Sequence, residues 1–411
     1  MWFNTRNQQN DIDHRLDALN FFLADVRGGL GAFVSVFLVT AAGWSPAEVG
    51  QVLTISGLIG IAAHTPLGAM IDAINSKRAL LIVAVALLAV CAVAIERMPT
   101  VPVVLAADIT MAMLGGIFAP TVAALTLGLV REHGFAARLA RNAVFDRVGN
   151  LTIAGVIGAL GWWWTQSATF YLVPIFAVVS AGVVLTIPTD AVDNKRARGF
   201  AAIQGSVQPE SLWTTMHNMK LVLLAVLMSV FHFANASMLP LVGQKLALTH
   251  PGLESTLLAS CILVAQLVTI PVAIVTASVL GSWGQRTLLL TACGALALRG
   301  LCFAWFDNAV ILIAAQILDG IAAGIWDVLV PLILAELVIG SGRYSASRGM
   351  LGTAQGVGGS LSNVVAGQIA FSAGYSAAFM MLSACALIAC VIAYQLDDPA
   401  KVQAQRLQNL Q

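Results

Sequence analysis

Ten side chains able to ionise, donate hydrogen bonds or stack lie in segments that are otherwise apolar enough to cross a membrane. They are Asp25, Arg27, His64, Asp108, His232, Asn235, Arg299, Asp319, Trp326 and Asp327. Inserting one charged side chain at the centre of a membrane helix costs about 2.5–3.5 kcal/mol, so such residues are candidates for function. Since a carboxylate in a medium of low dielectric constant can take up a proton near neutral pH, the pattern predicts proton transfer or solute binding within the membrane.

The composition requires most of the surface to face lipid. Of 411 residues, 59% are hydrophobic and only 10% are charged, whereas soluble proteins carry about 25% charged residues. The net charge of +1 gives no indication of nucleic-acid binding. The first 18 residues lack the features of a secretory signal, so the first apolar segment is expected to remain as a helix. We predict an all-α membrane protein.

Twelve segments are long and apolar enough to cross a bilayer, which requires about 20 residues. We number these predicted spans 1 to 12; they cover residues 18–40, 48–71, 79–97, 102–130, 142–164, 168–188, 218–246, 255–281, 287–306, 309–338, 349–372 and 374–396. A polar stretch separates them six and six. The predicted organisation is a tail, a six-helix bundle, a linker, a second six-helix bundle and a tail, at residues 1–17, 18–188, 189–217, 218–396 and 397–411.

The basic residues predict the orientation of the chain. With the first residue in the cytoplasm, seventeen of the 21 Lys and Arg fall in cytoplasmic loops and tails, and only Arg97 and Lys245 fall outside. Such a bias follows the positive-inside rule. We therefore expect a multi-pass protein of a bacterial-type inner membrane, with both tails in the cytoplasm.

Corresponding positions in the two halves carry the same residue types. Asp108 in span 4 is followed twelve residues later by Pro120, and Asp319 in span 10 is followed twelve residues later by Pro331. Many secondary transporters are built from such internal repeats. The spacing predicts two bundles related by pseudo-two-fold symmetry.

The loop after span 2 resembles a signature of the major facilitator superfamily (MFS). That signature is a Gly, three residues, an Asp, a tight turn and two basic residues, and Gly68, Asp72, Lys77 and Arg78 match it. The second-half copy keeps Arg286 but lacks the Asp. The resemblance implies an MFS fold, and it implies that these five residues form a conformational switch on the cytoplasmic side.

The resemblance also implies a secondary active transporter that moves a small organic solute by alternating access. Its expected partners are the solute, protons and the lipid bilayer; we expect a monomer without cofactor, metal or nucleic acid. Proton-coupled efflux by an antiporter is the first interpretation, because the twelve-helix outline and the acid in span 1 resemble the drug-exporter branch. This chain departs from that branch at Asp108, where an Arg is usual.

The alternative is a proton-coupled importer, or symporter, of an organic anion or of a metal chelate such as a siderophore. In that case Arg27 or Arg299 would bind a carboxylate of the solute. The chain lacks nucleotide-binding and hydrolase motifs, and we therefore expect no enzyme activity.

Depth along the helices predicts two ion pairs. At 1.5 Å per residue, Arg299 lies about 18 Å from the cytoplasmic end of span 9, and Asp319 reaches a similar level in span 10. Arg27 and Asp108 are the corresponding pair in the first half. Asp25 lies about 200° from Arg27 around span 1, and it is the expected protonation site. The remaining candidates for solute or proton contacts are His64, His232, Asn235, Trp326 and Asp327.

Overall fold

The described part of the chain is almost entirely helical. The computed structural model describes residues 2–28, 30–74, 76–130, 132–163, 168–188, 218–338 and 344–396. Fourteen α-helices occur in these ranges: α1 Trp2–Gly28, α2 Leu30–Thr40, α3 Pro46–Ala73, α4 Lys77–Arg97, α5 Val101–Leu129, α6 Glu132–Trp163, α7 Ala168–Thr186, α8 Met219–Ala236, α9 Met238–Thr249, α10 Glu254–Trp305, α11 Ala309–Ala314, α12 Gln316–Leu337, α13 Tyr344–Ala373 and α14 Tyr375–Gln395.

These helices account for the twelve predicted spans. Span 1 is formed by the end of α1 and by α2, span 7 by α8 and α9, and span 10 by α11 and α12, whereas α10 contains spans 8 and 9. Among the described residues, nine segments are long and apolar enough to cross a membrane. One of them, Glu254–Trp305, has 52 residues and is long enough to cross twice, so the nine segments correspond to ten spans. The other two predicted spans are span 1 and span 11. The second part of span 1, α2, has only 11 residues, and span 11 is formed by the glycine-rich and serine-rich α13.

The polar segment before span 1 is also helical. The sequence predicts a span from residue 18, whereas α1 begins at Trp2. No Gly or Pro interrupts α1 before Gly28, and Arg15 pairs with Asp11 four residues earlier at 2.6 Å. Pairs at this spacing lie on one helix face and favour helix formation.

Local hydrogen bonds fix several helix ends. Before α3, the main-chain N–H of Ser45 donates to the Glu48 carboxylate at 2.8 Å, and the Glu48 N–H donates to Ser45 Oγ at 3.2 Å. This reciprocal arrangement is a capping box. Within α10, Gly284 has a φ of +75°, which glycine adopts without steric cost, and this residue separates spans 8 and 9 as the sequence predicts.

The chain folds into two compact units. The first comprises Met1–Ala42, Ile55–Gln204 and Gly252–Thr256, and the second comprises Gly43–Thr54, Gly205–Pro251 and Leu257–Gln411. In the first unit α1 packs against α6 and α7, and α4 packs against α5 and α7. In the second unit α8 packs against α13 and α14.

Glycines allow close helix contacts in the second unit. A Cβ added at Gly324 of α12 would lie 2.8 Å from the carbonyl oxygen of Thr269 in the first half of α10. Gly320, one turn earlier, is equally close to Ala265 and Val268. Small residues let the backbones of membrane helices approach in this way, and this contact positions α12 and its acidic residues against α10.

Lys245 closes the C-terminal end of the long helix α10. Its buried ammonium group donates to the carbonyl oxygens of Phe303 at 2.9 Å and Phe306 at 2.8 Å, and it pairs with Asp307 at 2.8 Å. Carbonyl groups in the last turn of a helix lack partners within the helix, and a cation there also interacts favourably with the helix dipole. This explains why a lysine lies in α9, near the end of a span where the charge bias predicts few basic residues.

Lys245→Met should therefore destabilise the second unit. The substitution keeps the aliphatic stem but leaves two carbonyl groups unpaired, and we expect a loss of about 2–3 kcal/mol, since hydrogen bonds to charged groups contribute about 1.5–3 kcal/mol. Thermal unfolding in detergent measures the effect. Lys220→Met, at an exposed lysine at the start of α8, is the control, and equal shifts for the two variants would contradict the capping role.

Candidate functional site

A buried arginine joins three helices of the second unit. Arg299 of α10 is 1% exposed, and its Nη1 donates to Asn235 Oδ1 of α8 at 2.6 Å and to Asp319 Oδ1 of α12 at 2.7 Å. The guanidinium group also lies over the Phe303 ring, 5.2 Å from its centroid. The contact between Arg299 and Asp319 that depth predicts is therefore present. Charge-assisted hydrogen bonds of this kind are stronger than those between neutral groups.

Asp319, the acid of this ion pair, is more exposed to solvent than Arg299. The side chain of Asp319 is 21% exposed, against 1% for Arg299. Asp327, eight residues further along α12, is exposed. Because a charge that faces hydrocarbon is costly, an open carboxylate within a membrane-spanning helix requires water or a partner group beside it.

An aromatic cluster lies about one helical turn from Asn235. The Trp326 ring stacks on Phe231, with centroids 3.7 Å apart and an interplanar angle of 11°, and His232 meets the indole edge-on at 5.8 Å. The Nδ1 of His232 lies 2.9 Å from the carbonyl oxygen of Met228. Trp326 is only 6% exposed, so in this structure its ring packs in the interior of the unit and is not open to contact with a solute.

Asp108 occupies a different setting in the first unit. The Ser56 hydroxyl of α3 donates to its Oδ2. Asp108 belongs to α5, and α3 and α5 lie close together here. A Cβ added at Gly60 of α3 would lie 2.9 Å from the Cβ of Ala112 of α5. Within the described part of the chain no lysine or arginine forms an ion pair with Asp108. The predicted partner Arg27 has a side chain outside the described residues.

Several other predicted site residues also lie outside the part that the structure describes. They are the side chains of Asp25, Arg27, His64 and Asp72, together with the surroundings of Gly68. Their backbones belong to α1 and α3. The protonation of Asp25 and the contacts of Gly68 and Asp72 stay predictions.

The basic residues of the proposed switch bind the ends of helices. Lys77 donates to the carbonyl oxygens of Ile71 and, at 3.0 Å, Ile74, at the end of α3. Arg78 donates to Val184 O at 3.1 Å and Leu185 O at 3.0 Å, in the last turn of α7. Both residues begin α4, and they fasten it to two other helices of the chain.

Arg286 makes the corresponding contact in the second half. Its Nε and Nη2 donate to Leu396 O at 3.1 and 2.9 Å, directly after α14. Arg78 thus joins span 3 to the end of span 6, and Arg286 joins span 9 to the end of span 12. This equivalence agrees with the internal repeat. The switching role of these residues stays a prediction, to which the structure adds the capping of helix ends.

A buried charge network at one end of the first unit was not predicted as a site. Arg138 of α6 donates to Asp17 of α1, to Asn142 Oδ1 at 2.9 Å and to the carbonyl oxygen of Asp13 at 3.1 Å. Arg141 also binds Asp17, with its Nε 3.0 Å from Oδ1. The side chains of Arg138 and Asp17 are 4% and 6% exposed. The sequence pattern that could have predicted this network is the pair of acids four residues apart, Asp13 and Asp17, together with the arginines three residues apart, Arg138 and Arg141.

Known proteins agree with this architecture. A model of the Major Facilitator Superfamily matches residues 17–349. Uncharacterised MFS-type transporters from two strains of Mycobacterium tuberculosis, CDC 1551 / Oshkosh and ATCC 25618 / H37Rv, are each 41% identical over 380 residues, covering 91% of this chain and 90% of the relative.

Two solved structures have the same fold. The crystal structure of the nucleoside transporter NupG matches with a TM-score of 0.76 at 14% identity, over 93% of this chain and 98% of that one. A D-xylose-proton symporter matches with a TM-score of 0.68 at 14% identity, over 94% and 97% of the two chains. At such identities the likeness shows the fold alone, and it confirms the predicted all-α fold with twelve membrane helices.

Proposed function

The chain belongs to the major facilitator superfamily and is a membrane transporter, not an enzyme, and we propose that it exports a small organic solute in exchange for protons. The proposed solute is cationic or amphipathic, because four acids and two arginines are among the candidate residues of the spans. Alternating access between two six-helix bundles, at residues 18–188 and 218–396, is the proposed mechanism. A monomer with both tails in the cytoplasm completes the proposal.

The observation that supports this proposal most directly is the unequal exposure of acids and bases in the spans. Asp319 is 21% exposed and Asp327 is exposed, whereas Arg299 is covered and bound to Asp319. An open carboxylate can be neutralised either by a proton or by a cationic group. If protons and the cationic solute compete for the same carboxylate, the solute can bind only after protons are released. The transporter then exchanges solute for protons.

The same observation argues against import of an organic anion through Arg299. Its Nη1 is already shared by Asn235 and Asp319, and the group is 1% exposed. Because the guanidinium is only 1% exposed, a carboxylate of the solute could reach it only if the surroundings of the buried ion pair opened. The symporter alternative therefore depends on Arg27, and loss of anion binding in Arg27→Gln would favour it.

Transport by the purified protein in liposomes tests the proposal. A pH-sensitive dye is trapped inside, a pH gradient of either direction is imposed, and a panel of cationic, neutral and anionic solutes is added. An exchanger accumulates solute on the acidic side and moves protons the opposite way. Accumulation on the side that protons enter would instead indicate symport, and no pH response with any transported solute would overturn proton coupling.

Asp108→Asn should uncouple protons from solute. Within the described residues this carboxylate is held only by the Ser56 hydroxyl, a neutral partner that leaves room for a proton or a cationic group beside it. We expect proton-driven accumulation to fall by roughly 10-fold or more, within the usual range of coupling between two ligands, while exchange without a gradient persists. Asp11→Asn, in an exposed surface pair, is the control. Asp25→Asn tested in parallel decides whether span 1 carries the proton instead.

A further inference from the structure

Gln316 has a buried side-chain amide that lacks a strong hydrogen-bond partner among the described residues. It is the first residue of α12, directly after Ala315 separates α11 from α12. The residue is fully buried, and neither Nε2 nor Oε1 has a nitrogen or oxygen partner among the described residues, so the weakly hydrogen-bonding Cys261 thiol is the polar group beside its amide. Native structures leave few buried polar groups unpaired, and each such group calls for an explanation.

A second unused donor lies in the same cluster. The Nε of Arg299 is buried and also lacks a partner among the described residues, although Nη1 binds two oxygens. The Cys261 thiol lies beside Gln316 and within electrostatic range of both Arg299 and Asp319. Gln316 precedes Asp319 by three residues, and residues at that spacing are neighbours on one helix face. Gln316 and the unpaired Nε of Arg299 therefore both belong to the surroundings of Cys261 and Asp319.

We propose that Gln316 is a second hydrogen-bond acceptor for Arg299. When a proton neutralises Asp319, the Arg299 guanidinium donates to Gln316 instead. The proton comes from the aqueous side and binds the open Asp319 carboxylate. The buried guanidinium then loses its ionised partner and turns to Gln316 Oε1. Because a buried arginine without an acceptor is costly, Gln316 lowers the cost of the protonated state. It is a positioning residue, and its role in coupling rests on the proposed function.

Among the described residues of the second unit, the other titratable groups to consider near Asp319 are few. Besides Arg299, α10 contributes the Cys261 thiol, α8 contributes His232 one turn from Asn235, and α12 itself contributes Asp327. Lys245 of α9 is occupied by Asp307 and two carbonyl groups. α14 carries no charged residue, and Arg348 of α13 lies at the cytoplasmic end of its predicted span.

A double-mutant cycle on thermal unfolding tests the exchange of acceptors without transport. Gln316→Met, which has similar length and no N–H or C=O group, should leave the melting temperature of the otherwise unchanged protein within about 2 °C, since the amide has no nitrogen or oxygen partner among the described residues. In an Asp319→Asn background, which mimics the protonated acid, the same change should lower it by at least about 5 °C more, because interacting residues are not additive. Equal shifts in the two backgrounds would overturn the proposal.

Gln316→Glu in the Asp319→Asn background provides a matched rescue. The new carboxylate lies where the second acceptor is proposed, so the melting temperature should return to within about 2 °C of the unmodified protein. No recovery would contradict the proposal.

The pH profile of transport separates this inference from the proposed function. Gln316→Met should reduce proton-driven transport by about 10-fold at acidic pH and less at alkaline pH, because only the protonated state needs the second acceptor. A uniform reduction at every pH would count against a positioning role. Should the unmodified protein show no proton coupling while the cycle is non-additive, the proposed function fails and the exchange of acceptors stands.

Discussion

Asp319→Ala is expected to lower the free energy of unfolding by about 3–5 kcal/mol, the usual cost of removing one partner from a buried ion pair. The variant leaves the Arg299 guanidinium, 1% exposed, with the neutral Asn235 oxygen as the acceptor on its Nη1. The desolvation cost of the charge persists while the compensating charge is lost. Chemical or thermal unfolding in detergent, followed by helix content, measures the effect.

The double variant Arg299→Met/Asp319→Ala distinguishes stability from function. Removing both charges removes the unpaired guanidinium, so most of the lost stability should return, since replacing a buried pair with apolar groups is often neutral. Proton-coupled transport should not return, because the open carboxylate is gone. If the double variant is no more stable than Asp319→Ala, the pair does not interact as the geometry indicates. If it transports with full pH dependence, Asp319 is not involved in coupling.

The Arg299–Asp319 contact could be predicted because depth in a membrane helix can be counted. Antiparallel neighbouring spans bring residues at equal distances from the boundaries to one level, and two opposite charges at one level pair. Asn235 could not be assigned to this contact in the same way. Its participation depends on the rotation of α8 about its axis, which packing decides and spacing does not.

The helix interruptions were only partly predictable. Span 7 breaks at Ser237, and Pro240 lies in the first turn of α9, where a missing N–H costs nothing. Span 10 breaks at Ala315 with no proline nearby. Prolines also occur inside helices that continue unbroken, at Pro66, Pro120, Pro174, Pro271 and Pro331. Neighbouring groups can satisfy the carbonyl that a proline releases, so proline alone does not locate a break.

The charge network of Arg138 shows a limit of topological reasoning. The sequence placed Arg138 and Arg141 in a cytoplasmic loop and Asp17 in a tail, where charges are normally solvated. The structure extends α1 and α6 beyond the predicted spans, and these extensions bring residues 121 positions apart into contact. A rule that counts basic residues per loop cannot tell a solvated arginine from a buried one.

Asp17→Ala should destabilise the first unit by about 3 kcal/mol, near the lower end of the range for breaking a buried pair. Among the described residues, the Arg138 guanidinium, 4% exposed, would keep Asn142 and the weaker contacts with Asp13. Arg141 is half exposed, so water can replace its lost partner at little cost. Urea or thermal unfolding in detergent gives the difference in free energy.

Asp11→Ala is the matched control, because it removes an aspartate from the same helix and breaks an ion pair of the surface type. Arg15 and Asp11 are four residues apart and solvated, and such pairs contribute about 0.3–0.5 kcal/mol. The two variants change net charge equally and differ in burial. A stability loss for Asp17→Ala that is at least several times that of Asp11→Ala is therefore due to burial of the Arg138 charge. Losses of similar size would mean that water reaches the network and that α1 is not fastened to α6 through it.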